Sequence, residues 1–265
     1  MADSSLPSLG ITILGSGSRG NALVIQAPDG AVLLDAGFSA RELDDRLAQT
    51  GVEPTALRGV IVSHEHADHV RGLRVFAERY GLPVFANRGT ATVLKKRDER
   101  LGRLCLFAAG NPFAVGPFTV HPFSIPHDAS DPVAFVLQAH GRRIGVATDL
   151  GHVNHLVEHQ LRGCDALVIE SNHDLGMLGN STRPWALKQR ILGRHGHLSN
   201  EACVALLQRV VDARTRHVVM AHTSEECNRY ELVAQMAIDC LASLGRTDIA
   251  AHIARQDEPL PTFWI

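Results

Sequence analysis

The segment Ser63-His64-Glu65-His66-Ala67-Asp68-His69 packs four metal-ligating side chains (His64, His66, Asp68, His69) into six residues, directly after the apolar run Gly59–Ser63. Imidazole nitrogen and carboxylate oxygen are the donors that suit zinc and similar divalent ions. Side chains alternate in an extended loop, so His64 and His66 point the same way and Asp68 continues that side. His69 begins a helix. Such a loop can feed two adjacent ions but cannot complete both sites. The remaining ligands are expected where apolar strands end: His127 in Ile125-Pro126-His127-Asp128-Ala129, Asp149 at the end of Ile144–Asp149, and His222 after Val218–Ala221.

An HxHxDH motif, a later His, an Asp ending a strand and a final His together resemble the metallo-β-lactamase superfamily. The resemblance implies an α/β fold, a four-layer αββα sandwich, with a two-metal site among the loops at one edge. It implies that His64, His66 and His127 hold one ion, that Asp68, His69 and His222 hold the second, and that Asp149 bridges them. Zinc is the ion expected, with manganese or iron as alternatives. Leu14-Gly-Ser-Gly-Ser-Arg-Gly-Asn21, Leu34-Asp-Ala-Gly37, Thr148-Asp-Leu-Gly151, Glu170-Ser-Asn-His-Asp174, Gly196-His-Leu-Ser-Asn200 and Met220-Ala-His-Thr223 are similar to the YycJ/WalJ-type branch, which is related to the RNase J and RNase Z nucleases. That branch implies 5′→3′ exonuclease-type cleavage of nucleic acid, DNA or RNA. The chain has no room for the large inserted domain of RNase J-type enzymes and no long arm of the RNase Z kind.

Two divalent ions roughly 3.5–4 Å apart can activate a shared water as hydroxide and clamp an in-line displacement at phosphorus. Asp68, or the bridging Asp149, is expected to orient that water. For the leaving oxygen the first candidate is His197, because a similar histidine lies near the scissile phosphate in RNase J-like relatives; His173 is the second. A hydrogen-bonded structural histidine is the alternative for each. Ligand histidines give their second ring N–H to a carboxylate or carbonyl, and Asp35 and Glu170, each ending a strand, are candidates for that support. Arg183, Arg190 and Arg194 are expected to track phosphates, with Ser199 of the Gly-His-Leu-Ser block beside them. Trp185 has two readings, a platform on which a base stacks and a core residue, of which the core is the one expected; the mixed-sign run Lys95–Arg100 is expected in solvent.

The same scaffold type serves other hydrolyses. The competing enzyme reading is a small-molecule metallohydrolase: a glyoxalase II-like thioesterase, a lactonase or a small phosphodiesterase. The Gly-His-Leu-Ser block and the basic stretch before it favour phosphodiesters. Iron redox chemistry fits less well, since an acid would stand where His66 does. A metal-stabilised binding protein would need a broken ligand set, and all seven candidates are present.

The elements that must position these residues follow from patterning. Of 265 residues, 45% are hydrophobic and 20% charged, and mean hydropathy is near zero, enough for a full core and against disorder. A net charge of −2 does not point to nucleic acid by itself, which leaves a locally basic face to do so. Five cysteines without a CxxC pair fit reduced thiols in the cytoplasm. Met1–Gly10 has neither the basic nor the apolar region of a signal peptide, and no apolar run approaches a membrane span.

Aliphatic runs at Ile11–Leu14, Ala22–Ala27 and Ala31–Asp35 predict strands, the last two paired through Pro28-Asp29-Gly30. Further strands are expected at Gly59–Ser63, Pro83–Ala86, Phe118–Ile125, Val133–Ala139, Arg143–Asp149, Ala166–Glu170 and His217–Ala221. Helices are expected from Ser39 (capping box with Glu42) to Gly51, and at His69–Tyr80, Gly89–Arg97, Val153–Leu161, Pro184–Leu192, Asn200–Val211 and Asn228–Leu244; Thr223 with Glu226 is a second capping-box candidate. Strand groups alternate with helices twice without a linker, which predicts one domain over residues 1–265: two stacked sheets with helices outside. Gly15-Ser-Gly-Ser-Arg-Gly20 formally matches a dinucleotide fingerprint, but Asn21 leads into a strand where that site requires a helix. The run is read instead as a glycine turn, or as a loop whose N–H groups face an anion near the active site.

Overall fold

The computed structural model describes residues 8–265; the leader reading at Met1–Gly10 bears largely on residues outside that range. The strands in chain order are β1 Gly10–Gly15, β2 Ala22–Ala27, β3 Gly30–Leu34, β4 Leu57–Ile61, β5 Val84–Asn87, β6 Leu104–Phe107 and β7 Phe113–Val115. They continue with β8 Phe118–Ser124, β9 Val133–Ala139, β10 Arg142–Ala147, β11 Ala166–Glu170, β12 His217–Ala221, β13 Ala250–Ile253 and β14 Leu260–Trp264. The helices are α1 Ala40–Thr50, α2 Ala67–Val70, α3 Leu73–Tyr80, α4 Arg88–Arg97, α5 His155–Leu161, α6 Leu175–Asn180, α7 Trp185–Leu192, α8 Asn200–Val210 and α9 Tyr230–Ser243. No helix of the described residues is long and apolar enough to cross a membrane.

One sheet runs β14-β1-β2-β3-β4-β5-β6 and the other β13-β12-β11-β10-β9-β8-β7. Both follow one plan. Strands β14 to β3 pair antiparallel and β3 to β6 parallel; β7 to β10 pair antiparallel and β10 to β13 parallel. The parallel halves need crossovers, and α1, α3 and α4 supply them in the first sheet as α5, α8 and α9 do in the second. The halves of the chain are thus a structural repeat, although no sequence repeat is legible.

Three apolar layers hold four layers of structure together. Ile11, Val32, Leu34 and Ile61 meet Phe135, Leu137, Ile144 and Val168 between the sheets. On one outer face Leu43, Leu47, Phe76 and Leu94 of the helices cover the first sheet. On the other, Val157, Leu206, Leu207 and Val233 cover the second. This is the expected αββα sandwich.

The Ser39–Glu42 capping box forms, and Gly51 ends α1 in the left-handed region. Three expectations need correction. The helix expected over His69–Tyr80 is broken: the Gly72 N–H bonds to the Ala36 carbonyl, pulling the chain onto the loop after β3. A Cβ on Gly72 would lie 2.1 Å from the Phe38 carbonyl oxygen, so only glycine permits this approach. Thr223 and Glu226 form no capping box; α9 begins at Tyr230 without a side-chain cap, and Thr223 Oγ1 is buried and unpartnered. Trp185 is 67% exposed rather than core. The inward positions of α7 belong to Ile191 and Lys188, whose Nζ donates to the Gly179 and Ser181 carbonyls at 2.7 Å each.

Away from the loop edge, His217 Nδ1 lies 3.1 Å from His252 Nε2, and both rings stack on Phe263. Burial, with His217 alongside, pushes the His252 imidazole down to about 4 from the ordinary 6.5. Its neutral form is therefore favoured in the fold. The contribution is fully present above about 6.5 and is lost as pH falls toward about 4, where only the unfolded chain takes up the proton. His252→Phe, which keeps the stack, is expected to lose less stability than the parent between pH 7 and 4.5, measured by urea unfolding.

Candidate metal centre

Every expected ligand lies at one edge, beyond the ends of the strands. His64, His66, Asp68 and His69 follow β4, His127 follows β8, Asp149 follows β10 and His222 follows β12. Asp35 follows β3 and Glu170 closes β11. Asp35, Asp149 and His222 all adopt positive φ, at 58°, 57° and 54°. Such non-glycine residues carry strain of order 1–3 kcal/mol each, tolerated where the surroundings fix them. The turn re-aims each side chain across the edge instead of along its strand. Asn21 N–H donates to the Asp68 carbonyl, Ala36 N–H to that of His69 and Gly37 N–H to that of Asn21. A Cβ on Gly37 would fall 1.7 Å from the Asp68 oxygen, so this glycine lets the histidine loop seat on the loop after β3.

The ring nitrogens divide into two sets. Outward, His69 Nδ1 lies 2.7 Å from Asp35 Oδ2, and His222 Nδ1 lies 2.7 Å from Glu170 Oε1. His127 Nδ1 reaches the Gly196 carbonyl at 3.0 Å. His64 Nδ1 meets Ser63 Oγ at 3.0 Å, and Ser63 donates that hydroxyl to Asp35 at 2.8 Å. With these nitrogens as donors, the other nitrogen of each ring is a lone pair facing inward. His64 Nε2 lies 3.0 Å from His66 Nδ1, which lies 3.3 Å from His127 Nε2. His69 Nε2 is 3.5 Å from Asp68 Oδ2 and 3.1 Å from Asp149 Oδ2. His222 Nε2 is 3.6 Å from each of Asp68 and Asp149, and Asp149 Oδ1 is 3.7 Å from His127 Nε2. His222 Nε2 and Asp149 Oδ2 are buried without a hydrogen-bond partner.

This donor set fits divalent cations. His64, His66 and His127 form one cluster of converging ligand atoms and Asp68, His69 and His222 another, with Asp149 within reach of both. Asp149, Glu170, His197 and His222 also cluster, but Glu170 is fully engaged. It accepts from the Leu150 and Leu198 N–H groups as well as from His197 and His222, so its oxygens are already taken by four donors.

Electrostatics separates the rings: His64 and His127 favour the neutral form, His69 and His222 the protonated form, whose inward proton a bound cation would replace. Burial, aided by the charge of His69, holds His64 well below the usual imidazole range, and burial lowers His127; both stay neutral and able to ligate. Burial would also depress His69 and His222, but Asp149 with Asp35 outweighs it at the first and Asp149 with Asp68 and Glu170 at the second, so both are raised. Burial opposes ionisation of Asp149, yet His222 and His69 hold it well below the carboxylate range. Glu170, likewise opposed by burial, is brought down to about 2 by His197 and His222.

A cleft of about 290 Å³ opens over these atoms. His197 lines it, with Nδ1 2.9 Å from Glu170 Oε1, which leaves Nε2 as its free nitrogen. Arg183 and Arg190 line the mouth, paired with Glu226 at 3.1 Å and with Asp128. Three expected participants lie elsewhere. Arg194 turns away to His152. Ser199 caps α8, its Oγ accepting from the Ala202 N–H. His173 lies outside the cleft, in a neighbouring cavity. Residues that the sequence did not single out also contribute. Asn21 Nδ2 lies 3.2 Å from His69 Nε2; the Asn172 amide donates to the His222 carbonyl; Glu65 accepts from the Ser130 N–H and so fixes the loop carrying His127. Each stands inside a segment quoted for its motif, Asn21 at the end of the glycine turn, whose Ser18 reaches the cleft.

Comparison with known proteins agrees with this geometry. The β-lactamase superfamily domain model matches residues 31–223. The exodeoxyribonuclease YycJ of Bacillus anthracis is 32% identical over 260 residues, 96% of this chain and 97% of that protein. The exodeoxyribonuclease WalJ of Streptococcus pneumoniae is 31% identical over 236 residues, 87% of each chain. Among solved structures, the metallo-β-lactamase fold protein YhfI of Bacillus subtilis superposes with a TM-score of 0.72 at 16% identity, covering 96% of this chain and 99% of that one.

Removing a carboxylate that orients a ligand histidine typically weakens metal binding about 10- to 100-fold. Asp35→Asn and Glu170→Gln are each expected to fall in that range in a chelator competition, with the folded far-UV signal retained. Unchanged affinity would mean that these carboxylates do not orient the ligands.

Proposed function

The chain belongs to the β-lactamase superfamily, in the branch of the YycJ and WalJ exodeoxyribonucleases, and we propose that it is a metal-dependent phosphodiesterase that degrades DNA from an end, 5′→3′, in the cytoplasm. The carrying observation is the convergence of inward ring nitrogens with Asp68 and Asp149 at the floor of a cleft whose mouth holds two guanidiniums. His64, His66 and His127 would hold one ion, Asp68, His69 and His222 a second, and Asp149 would bridge; zinc is the ion proposed, with manganese or iron as alternatives. When bound, such ions lower the pKa of water and offset charge on a phosphoryl group.

The remaining steps belong to the protein. Arg183 and Arg190 exchange Glu226 and Asp128 for the phosphates flanking the scissile bond, which guanidinium geometry suits. Asp68, whose side chain is 22% exposed against 3% for Asp149, faces the cleft and accepts a proton from the attacking water. His197 supplies the other proton. Burial opposes its ionisation, but Glu170 outweighs it and raises the imidazole above its usual value. With Nδ1–H given to Glu170, Nε2–H is the proton available to the leaving oxygen.

The test is purified protein with Zn²⁺ or Mn²⁺ on 5′-labelled DNA and RNA, beside a bis-aryl phosphodiester and a thioester. Cleavage of the thioester alone would overturn the reading. His197→Ala is expected to lower turnover about 10²–10⁴-fold with metal content intact, whereas His66→Ala is expected to lose metal by elemental analysis and activity together. Activity on DNA is expected to fall steeply with salt, and less steeply in Arg190→Ala, as phosphate contacts require; a flat salt response in the parent would favour a small substrate.

A further inference from the structure

A second cavity, about 330 Å³, adjoins the cleft, and His197 is the residue that lines both. One side is the face of α8 carrying Ser199, Ala202, Ala205 and Arg209, whose spacings of three, three and four put them in one row. The ten rises from Ser199 to Arg209 make this row about 15 Å long. The other side is Gly151–Val153, directly after Asp149. Leu175 and Leu192, 48% and 49% exposed, stand in the lining as bare apolar surface.

Two features make this a site rather than a surface furrow. His173 lines the cavity, is 1% exposed, and its Nε2 has no hydrogen-bond partner. A buried polar nitrogen of this kind is costly unless something satisfies it. The lining also changes character along its length. The Ala202–Ala205 stretch, facing the leucines, is apolar, whereas the far end carries Arg209, held 3.2 Å from Glu158. Single-stranded nucleic acid sites pair a base platform, commonly aromatic, with cations along the backbone; here leucines and alanines supply the platform and Arg209 the cation.

We propose that this groove takes the bases of the nucleotides next to the scissile phosphate. The strand leaves the metal cleft past His197, sets its bases on Leu175 and Leu192 over Ala202 and Ala205, offers a base edge to His173 Nε2, and places a later phosphate on Arg209. The proposal rests on the phosphodiesterase reading and deepens it.

Ala205→Trp fills the groove from a half-buried helix position. In the metal-loaded enzyme it is expected to lower kcat/KM on a single-stranded DNA 10-mer at least tenfold, mainly through KM, and to leave bis(p-nitrophenyl) phosphate turnover unchanged. Leu192→Glu, a surface substitution that places a negative charge against the strand, is expected to act in the same direction and serves if Ala205→Trp does not fold. Anisotropy with a fluorescently labelled, phosphorothioate-linked 10-mer is expected to show binding weakened to match. Equal turnover of the 10-mer by parent and Leu192→Glu would overturn the groove while leaving the nuclease reading in place. A parent enzyme that cleaves neither phosphodiester would overturn the nuclease reading and the groove with it.

Discussion

The fold's whole functional edge depends on two buried carboxylates that accept ring N–H groups. Asp35 takes the Ser63 N–H, the Ser63 hydroxyl and His69. Glu170 takes two backbone N–H groups, His197 and His222. A carboxylate without hydrogen bonds at such depth would be expelled or protonated. With three or four donors its oxygens are satisfied in place, and it orients each donating ring. Every neighbouring feature reads as a condition for this. Gly37 lets the histidine loop approach, the left-handed turn at Asp35 aims the carboxylate sideways, and the short strands stop where the donors are needed. Remove either carboxylate and the inward nitrogens lose the bonds that hold them at the cluster.

The repeat in the two sheets explains why the anchors and the bridging acid occur where they do. Asp35 follows β3, and Asp149 follows β10, the matching strand of the other half. Both sit in an Asp-x-Gly turn, and both have φ near 57°. One half uses the turn to hold the His69 ring, the other to aim a carboxylate into the cluster. Similarly, the loop after β4 carries the dense histidine motif, whereas its counterpart after β11 carries Glu170 and Asn172, which hold His222. The two sheets thus offer edges of the same plan, one carrying the dense histidine loop and the other the carboxylate and amide that hold His222.

Much of this was legible in the sequence because ligand chemistry is local. HxHxDH needs only side-chain alternation to be read, and Asp35, Asp149 and His222 each end a clear aliphatic run. What was not legible depends on packing. The strands β6, β7, β13 and β14 are short edges whose residues are half-exposed, so neither alternation nor a buried run marks them. Trp185 reads as core by type, but α7 turns Lys188 and Ile191 inward, and Lys188 donates to two carbonyls at the C-terminal end of α6. Arg194 belongs to the same basic stretch as Arg190, yet its carbonyl receives the His152 ring and its guanidinium follows. Position along the chain decided none of these; the available partners did.

The ion pairs around the mouth bear on how a chain of net charge −2 would handle a polyanion. Arg183 and Arg190 are each already paired, and Arg19 nearby is shared between Glu225 and Asp257. Paired guanidiniums project little field, so long-range steering of nucleic acid toward this edge is weak. Exposed pairs of this type are worth no more than about 1 kcal/mol, so a phosphate displaces the acid at small cost once it arrives. Recognition is then a short-range exchange of carboxylate for phosphate at fixed guanidiniums. That arrangement disfavours indiscriminate coating of duplex DNA and favours a strand end that can reach into the cleft.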